Sequence, residues 1–565
     1  MPRGWVGRIH PDRVMGAGRA PIARSGTLLQ HGGGPRLRAS GLRFKGRVVT
    51  GHAPPIASDH DHFLRASRNE SAVTQLGNAT VTSLSIPGPG YDRSRVRVGI
   101  VHVGVGAFHR AHQAKYLDAL MEQGKALDWG ICGVGVMPFD LKVRDALRAQ
   151  DCLYTLVEKD PEGNWTPKVI GSIVAYRYAP DDPEAVIEQM ADPATGIVSM
   201  TVTEGGYNFH PVTGKFDADN PAVQADLTPG AVPTTTFGLI TEALARRRAR
   251  GVEPFTIMSC DNIQGNGHVA SEVFSAFARL RDPDLGEWVA SNVSFPNSMV
   301  DRITPVTTDE DREQVRQRFG IEDDWPVVCE PFTQWVLEDN FPTGRPPLED
   351  VGVQVVADVE PYELMKLRLL NAGHQAMCYF GYLAGYRLVH EVAQDRLFAN
   401  FLLEYMNREA TPTLPPVPGV DLDAYKRTLI ERFSNRAVRD TVARLCTESS
   451  DRIPKFVLPA VNENVAAGRD VRLAAAVVAS WARYAEGVDE QGQPIAVVDR
   501  LADALKAIAA RQRTDRTAFI ANRELFGDLV DQPAFVTPYV DTLESLYAYG
   551  ARATLERLAA SSPRL

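Results

Sequence analysis

The chain has 565 residues, of which 44% are hydrophobic and 23% charged, and a net charge of −9, the composition of an ordinary globular protein large enough for two domains. No apolar run approaches the roughly 20 residues that cross a bilayer. Six scattered cysteines without a C-x-x-C pair read as free thiols in a reducing compartment, here expected to be the cytoplasm.

Charge is unevenly spread, because residues 1–70 hold eleven Arg and one Lys against four acids, a net +8, and leave −17 for the rest. That first segment is rich in Gly, Pro, Arg and Ser and shows no sustained period of 2 or 3.6, so it is expected to be a disordered basic extension. A transit peptide, a misassigned start and a dispensable tail all fit it. Nucleic-acid binding fits poorly, since aromatics are not interleaved and the remainder is acidic. The first strand is expected over Arg97–Val103, running directly into Gly104-Val105-Gly106-Ala107-Phe108-His109, where a helix should begin. A second apolar strand, Trp129–Val136, follows at the spacing of a β-α-β unit. A helix over Asp182–Met190, a strand over Ile197–Val202, a helix over Thr235–Arg250 and a strand over Phe255–Ser259 continue an α/β alternation. Beyond about residue 355 helical spacing dominates, over Pro361–Tyr386, Glu391–Met406, Asp470–Glu486 and Val497–Ala510.

A strand, Gly104-x-Gly106 and a helix bring backbone close to a pyrophosphate and offer it the N–H groups of a helix N-terminus. His109 stands where the usual fingerprint has its third glycine, so on pattern alone an ordinary tight turn stays open. On the dinucleotide reading Gly104, Gly106, Ala107, Phe108 and His109 line the cofactor. Asp140, just past the second strand, is the nearest carboxylate able to accept from both ribose hydroxyls, which favours NAD; Lys142 and Arg144 beside it keep NADP open. The expected division is then the extension over 1–70, a Rossmann-type domain over 71–355 and a mostly helical domain over 356–565.

A second constellation lies on Pro361–His374, which reads as a helix with Pro in its first turn. At about 100° per residue Lys366, Asn371 and His374 fall within about 140° of one another, so one cleft can hold all three. A lysine desolvated on an apolar helix gives up its proton readily and can act as a general base, while an Asn amide can hold a developing alkoxide. A snorkelling lysine with a helix-satisfied Asn and a core His is the structural alternative. Tyr362-x-x-x-Lys366 also matches the Tyr/Lys pair of short-chain dehydrogenases, but those are shorter chains with the pair much nearer the glycine turn, so Tyr362 is set aside. No convincing Cys/His/Glu zinc set is present, and His109-x-x-His112 reads as structural or cofactor-facing, so no metal is expected.

Taken in order, Gly104–Gln113, Thr203–Asn208, Ser259-Cys-Asp-Asn262, Phe295–Pro305 and Lys366-x4-Asn371-x2-His374 resemble the polyol-specific long-chain dehydrogenases, from about residue 95 to the C-terminal region. The resemblance implies a Rossmann-type N-terminal domain, a largely helical C-terminal domain, an active site between them, no catalytic metal, and a monomer. It implies NAD-linked interconversion of a polyol and its ketose, most like D-mannitol and D-fructose, with fructuronate or tagaturonate reduction and D-arabinitol oxidation as alternatives. Carried over, Lys366 is the general base, Asn262 and Asn371 form the oxyanion hole and His374 orients the substrate. Asp301 and Arg444 would hydrogen-bond the polyol, with Arg452 assisting, and Glu204 and Glu363 would serve proton relay and gating. Structural alternatives stay open for Asn262 as a helix cap, for Glu204 as a turn residue, and for Asp301 with Arg302 as an ion pair.

Overall fold

The computed structural model describes residues 73–209 and 215–561. The basic segment 1–70 lies outside the described residues. Five short strands form a parallel sheet: β1 (Val98–Val103), β2 (Gly130–Gly135), β3 (Ile173–Tyr178), β4 (Ile197–Met200) and β5 (Thr256–Ser259). Across the sheet they run β3-β2-β1-β4-β5, each neighbouring pair parallel. The order reverses between β1 and β4, and a doubly wound sheet binds its ligand in the crevice outside the carboxyl ends at that point.

These strands are almost continuously apolar because both faces are covered. Val101 and Val103 join one core with the helices Pro183–Ala191, Thr236–Arg250 and Asn266–Arg281, while Ile100 joins the core on the other face, the alternation that a pleated strand imposes. The helix starts are written locally. Asp182 accepts the N–H of Ala185 ahead of Pro183, Thr235 accepts that of Gly238, and Gly251 closes the second helix in the left-handed region at φ 66°.

Two three-stranded sheets and β3 were not foreseen. One sheet joins Val327–Cys329, Tyr154–Lys159 and Trp165–Ile170; the other joins Gln354–Val356, Gln334–Glu338 and Ser298–Asp301 and carries Asp301 at its end. From Glu360 onward helices enclose a separate core that includes Tyr379, Trp481, Phe519 and Tyr539.

The helical half corrects three sequence readings. Pro361–Tyr386 is not one regular helix: Glu360–Met365 passes into a π-turn over Lys366–Asn371 before α geometry resumes over Ala372–Leu383. In such a turn hydrogen bonds close i→i+5, so residues five apart come nearly one above another, and Lys366 and Asn371 lie closer in direction than a plain α-helix would place them. Glu391–Met406 is divided at Asp395 into Val389–Gln394 and Arg396–Tyr405, because the Asp395 carboxylate caps the second helix through the N–H of Leu397. The helix expected from Val497 begins only at Ala502. No helix among the described residues is long and apolar enough to cross a membrane.

Candidate active site

Gly104 leaves β1 with φ 91°, and a Cβ there would come within 2.3 Å of the Thr201 carbonyl oxygen beyond β4. Conformation and space both demand glycine. Gly106 caps the helix Ala107–Ala111 and is exposed; a Cβ on it would meet no protein atom nearer than 3.9 Å. The bare backbone at Gly106 thus opens outward, as approach of a pyrophosphate to the following N–H groups requires. Ala107 and Phe108 sit half-buried on that first turn.

His109 departs from the expectation that it lines the cofactor. Its ring is 1% exposed, stacks on His102 with centroids 3.4 Å apart, and places Nδ1 2.6 Å from Gln113 Oε1. Burial pushes it down to about 4, so it is a neutral prop beneath the turn. His112 is likewise buried, 2.9 Å from the Gln334 carbonyl oxygen, and burial pushes it down to about 3. Among the described residues no group of three or more His, Cys, Asp or Glu side chains is arranged to hold a metal ion.

Asp140 opens the helix Asp140–Ala149 beyond β2, and its Oδ2 accepts the N–H groups of Val136 and Met137, both at 2.9 Å. The carboxylate is therefore fixed at the carboxyl end of the strand beside β1, flanked by the exposed apolar side chains of Met137, Phe139 and Leu141. Arg144 is committed to Asp145 and Asp181, at 2.8 Å each, which leaves Lys142 as the nearer exposed cation.

The second cluster forms where the helical half meets the sheets. Lys366 is 5% exposed; its Nζ donates to the Val300 carbonyl at 2.5 Å and to Asn262 Oδ1. Asn262, just past β5, is exposed to the cleft. Burial pushes the Lys366 ammonium below its ordinary value; Asp301 opposes this and Arg432 reinforces it. Asn371, at the far end of the π-turn, is 7% exposed. His374 follows in the next turn, its ring 4.5 Å from that of Phe433. Its Nε2 is buried without a protein partner, and burial, helped by Arg444, pushes it down to about 3, so it is neutral. Glu363, on the same helix as Lys366, accepts the N–H of Gly265 with both oxygens at 3.0 Å, and burial pushes its carboxyl up to about 7. That contact pins the loop carrying Asn262.

The remaining expected residues are placed unequally. Arg444 is half-exposed and forks onto Asp440, with Nε 2.6 Å from Oδ1, while Arg452 donates Nη1 to the carbonyls of Arg444 and Leu445 at 3.2 and 3.1 Å. The charges of both reach His374. The Glu204 side chain lies outside the described residues. Tyr362 donates its hydroxyl to the Pro418 carbonyl at 2.9 Å, a structural bond in keeping with setting it aside. Asp301 and Arg302 do not pair: adjacent residues at the end of a strand face opposite ways. Arg302 donates to Glu158 and to the carbonyls of Ala111 and Glu330, whereas Asp301 is bridged by Arg432, which also holds Glu330. Sequence reasoning missed Arg432 and Glu330. A carboxylate directly after the apolar run Val327–Cys329 was a usable signal for Glu330; Arg432, at a helix end beside Phe433, looks like any surface cation.

A doubly wound sheet with a glycine turn at its switch point, facing a buried lysine and two asparagines at the edge of a helical domain, defines a two-domain, nicotinamide-linked oxidoreductase. Family models for the mannitol dehydrogenase Rossmann domain and C-terminal domain match residues 98–350 and 358–547. Mannitol 2-dehydrogenase of Phaeosphaeria nodorum is 48% identical over 495 residues, 87% of this chain and 85% of that protein. The Pseudomonas fluorescens mannitol 2-dehydrogenase, solved as a ternary complex with NAD and D-mannitol, is 45% identical and superposes with a TM-score of 0.79 over 86% of this chain and 100% of that one. A substrate-free D-sorbitol dehydrogenase is 39% identical, with a TM-score of 0.78 over 85% of this chain and 100% of its own. The chain belongs to the mannitol dehydrogenase family.

Proposed function

We propose that the protein interconverts D-mannitol and D-fructose with NAD and without a metal, Lys366 acting as the general base. The observation that carries this reading is a lysine buried between Asn262 and the Val300 carbonyl whose surroundings favour loss of its proton. Bound NAD supplies the hydride acceptor. The glycine turn and Asp140 fit it: the turn is open in front of Gly106, and the Asp140 carboxylate is held ready for ribose hydroxyls. Lys366 takes the proton of the C2 hydroxyl onto Nζ. The amides of Asn262 and Asn371 donate to the oxygen as it acquires charge. Neutral His374 offers its unpartnered Nε2 to a substrate hydroxyl, and Asp301, Arg444 and Arg452 bind the rest of the chain. Glu363, whose carboxyl burial pushes up to about 7, is assigned proton relay and gating beside the lysine on the family motif. Glu204 is assigned a relay role on the family motif.

The reading extends to a monomer, to a cytoplasmic location, which six free cysteines suit, and to a division of the chain near residue 355, supported by the last strand ending at Val356 and the helices starting at Glu360. The test is reduced-cofactor absorbance with NAD or NADP and D-mannitol, D-sorbitol or D-arabinitol, and in reverse with fructose and fructuronate, with and without a chelator. Chelator-insensitive oxidation fastest on D-mannitol is expected. Silence on every polyol with turnover on fructuronate refutes it. The likeness to a D-sorbitol dehydrogenase makes D-sorbitol the competing polyol.

A further inference from the structure

Of the buried three-charge cluster beside Lys366, Asp301 has a part in the reaction as derived above, while Arg432 and Glu330 have none. Arg432 donates Nη1 to Asp301 Oδ2 at 2.8 Å and Nη2 to Asp301 Oδ1 at 2.9 Å. It also donates Nε to Glu330 Oε2 at 3.0 Å and Nη2 to Glu330 Oε1 at 2.8 Å. The three side chains are 5% exposed or less, and the guanidinium lies 3.8 Å from the centre of the Phe332 ring. Both acids come from the Rossmann half and the arginine from the helix Leu422–Phe433 of the other half. Its neighbour Phe433 is the residue that packs on His374.

Burying three charges is a weak way to stabilise a fold, since apolar side chains of similar volume often do as well. The location gives another reason. Asp301 directly follows Val300, whose carbonyl receives Lys366 Nζ at 2.5 Å, so the carboxylate adjoins the base. Left alone, it would hold that lysine as an ammonium ion. It would also be free to rotate. Arg432 takes one lone pair from each Asp301 oxygen and leaves the second for a substrate hydroxyl. Glu330 in turn accepts the N–H of Ile303 at 2.6 Å; burial pushes its carboxyl upward, against the pull of Arg432 and of that N–H.

We propose that Arg432 is a positioning residue for the reaction: anchored by Glu330, it orients Asp301 toward the polyol and offsets enough of the Asp301 charge for Lys366 to work as a neutral base. The proposal rests on Lys366 being that base. The proton moves from the substrate hydroxyl to Lys366 Nζ and hydride leaves for NAD; Arg432, Asp301 and Glu330 exchange nothing. The charged groups facing Lys366 are Asp301 from the strand Ser298–Asp301, Arg432 from the helix Leu422–Phe433 and Glu363 from its own helix, with neutral His112 behind the glycine turn. Of these, Arg432 is the one whose charge favours the neutral lysine at working pH.

The experiment compares wild type, E330Q, R432K and K366M in the full chain. It follows the pH profile of kcat/KM for D-mannitol oxidation, KM for D-mannitol and for NAD, and thermal melting. E330Q leaves Arg432 less compensated and is expected to lower the apparent pKa of the rising limb by about half a unit or more. R432K keeps a cation but cannot fork onto two carboxylates; it is expected to raise that pKa by a similar amount and KM for D-mannitol about tenfold, with KM for NAD unchanged. A purely structural role would depress melting and activity alike at every pH, leaving the limb and the KM ratio at wild-type values, and that result overturns the proposal. Should R432K not fold, the limb of E330Q alone decides. K366M separates the two readings. If it retains wild-type turnover, the base assignment fails and the proposal with it; if it is inactive while E330Q and R432K keep the wild-type limb, the proposal alone fails.

Discussion

Replacing Lys366 by Met keeps the length and apolarity of the stem while removing both donor and base. The ammonium donates to Val300 O at 2.5 Å and to Asn262 Oδ1, so two acceptors lose a partner, at about 1–3 kcal/mol for each that stays buried. Asn262 is exposed and regains water; the Val300 carbonyl carries the loss. Opposing it is relief from holding an ammonium in a site only 5% exposed, where burial lowers the lysine's hold on its proton. The net stability change is therefore small, about 1–2 kcal/mol either way. Turnover behaves differently. A positioned general base contributes about 10²–10⁴ in rate, or roughly 3–5 kcal/mol of activation free energy. The assay is the initial rate of D-mannitol oxidation across pH, with NAD binding followed separately by quenching of tryptophan fluorescence. NAD affinity is expected to stay within about twofold, because Lys366 bonds to no group of the glycine turn. Rates within tenfold of the parent at the best pH would refute the assignment of the base.

Three further outcomes are expected. Asn371→Ala should cost about 10²–10³ in kcat with KM for NAD unchanged, and a loss confined to KM would remove Asn371 from the oxyanion hole. Asp140→Ala releases the N–H groups of Val136 and Met137 and should raise KM for NAD about tenfold while narrowing the preference over NADP; an unchanged ratio of kcat/KM for the two cofactors would count against its ribose role. Glu409 is 1% exposed, and burial pushes its carboxyl up to about 8 against the N–H bonds from Leu473 and Ala474. The folded state thus holds that proton more tightly than the unfolded chain, where Glu titrates near 4.3; the stabilisation is complete below that value and lost as pH rises through about 8. Glu409→Gln removes the dependence, so the gap between variant and parent should be smallest below about pH 4 and shift in the variant's favour by roughly 5 kcal/mol at most on going to pH 9. Melting differences equal at both pH values would refute it.

The parts of the fold that repeat a short local rule were legible. The β1 strand, its glycine turn and the β2 strand follow one another closely, and Asp182-Pro183 and Thr235 announce their helices by capping chemistry alone. Lys366, Asn371 and His374 stand out together in the sequence because their neighbours include leucines and a methionine. The pairing of Tyr154–Lys159 with Val327–Cys329 was not, since its partners lie far apart in the chain and neither strand alternates cleanly. Arg432 was invisible for a related reason, as one charged residue whose meaning depends on partners in the other domain, and Glu330, though marked by the apolar run before it, takes its meaning from Arg432. Nor does periodicity over a single turn distinguish an α register from the wider one at Lys366–Asn371. His109 was misread because the pattern fixes where a residue falls along the chain, and only packing against His102 fixes which way its ring points.

The π-turn at Lys366–Asn371 holds one residue more than an α-helix needs to cover the same rise. Deleting that residue would let the helix close with ordinary i→i+4 bonds, and the backbone would be better satisfied. The same deletion would leave Asn371 four residues after Lys366, about 40° away in direction and still on its face, whereas winding all six residues as a regular α-helix would carry Asn371 to about 140° from Lys366. The wider hydrogen-bond register of the turn therefore sets the phase between the base and its partners. A site built on these six positions thus depends on which carbonyl each N–H chooses, as well as on the identity of the lysine itself.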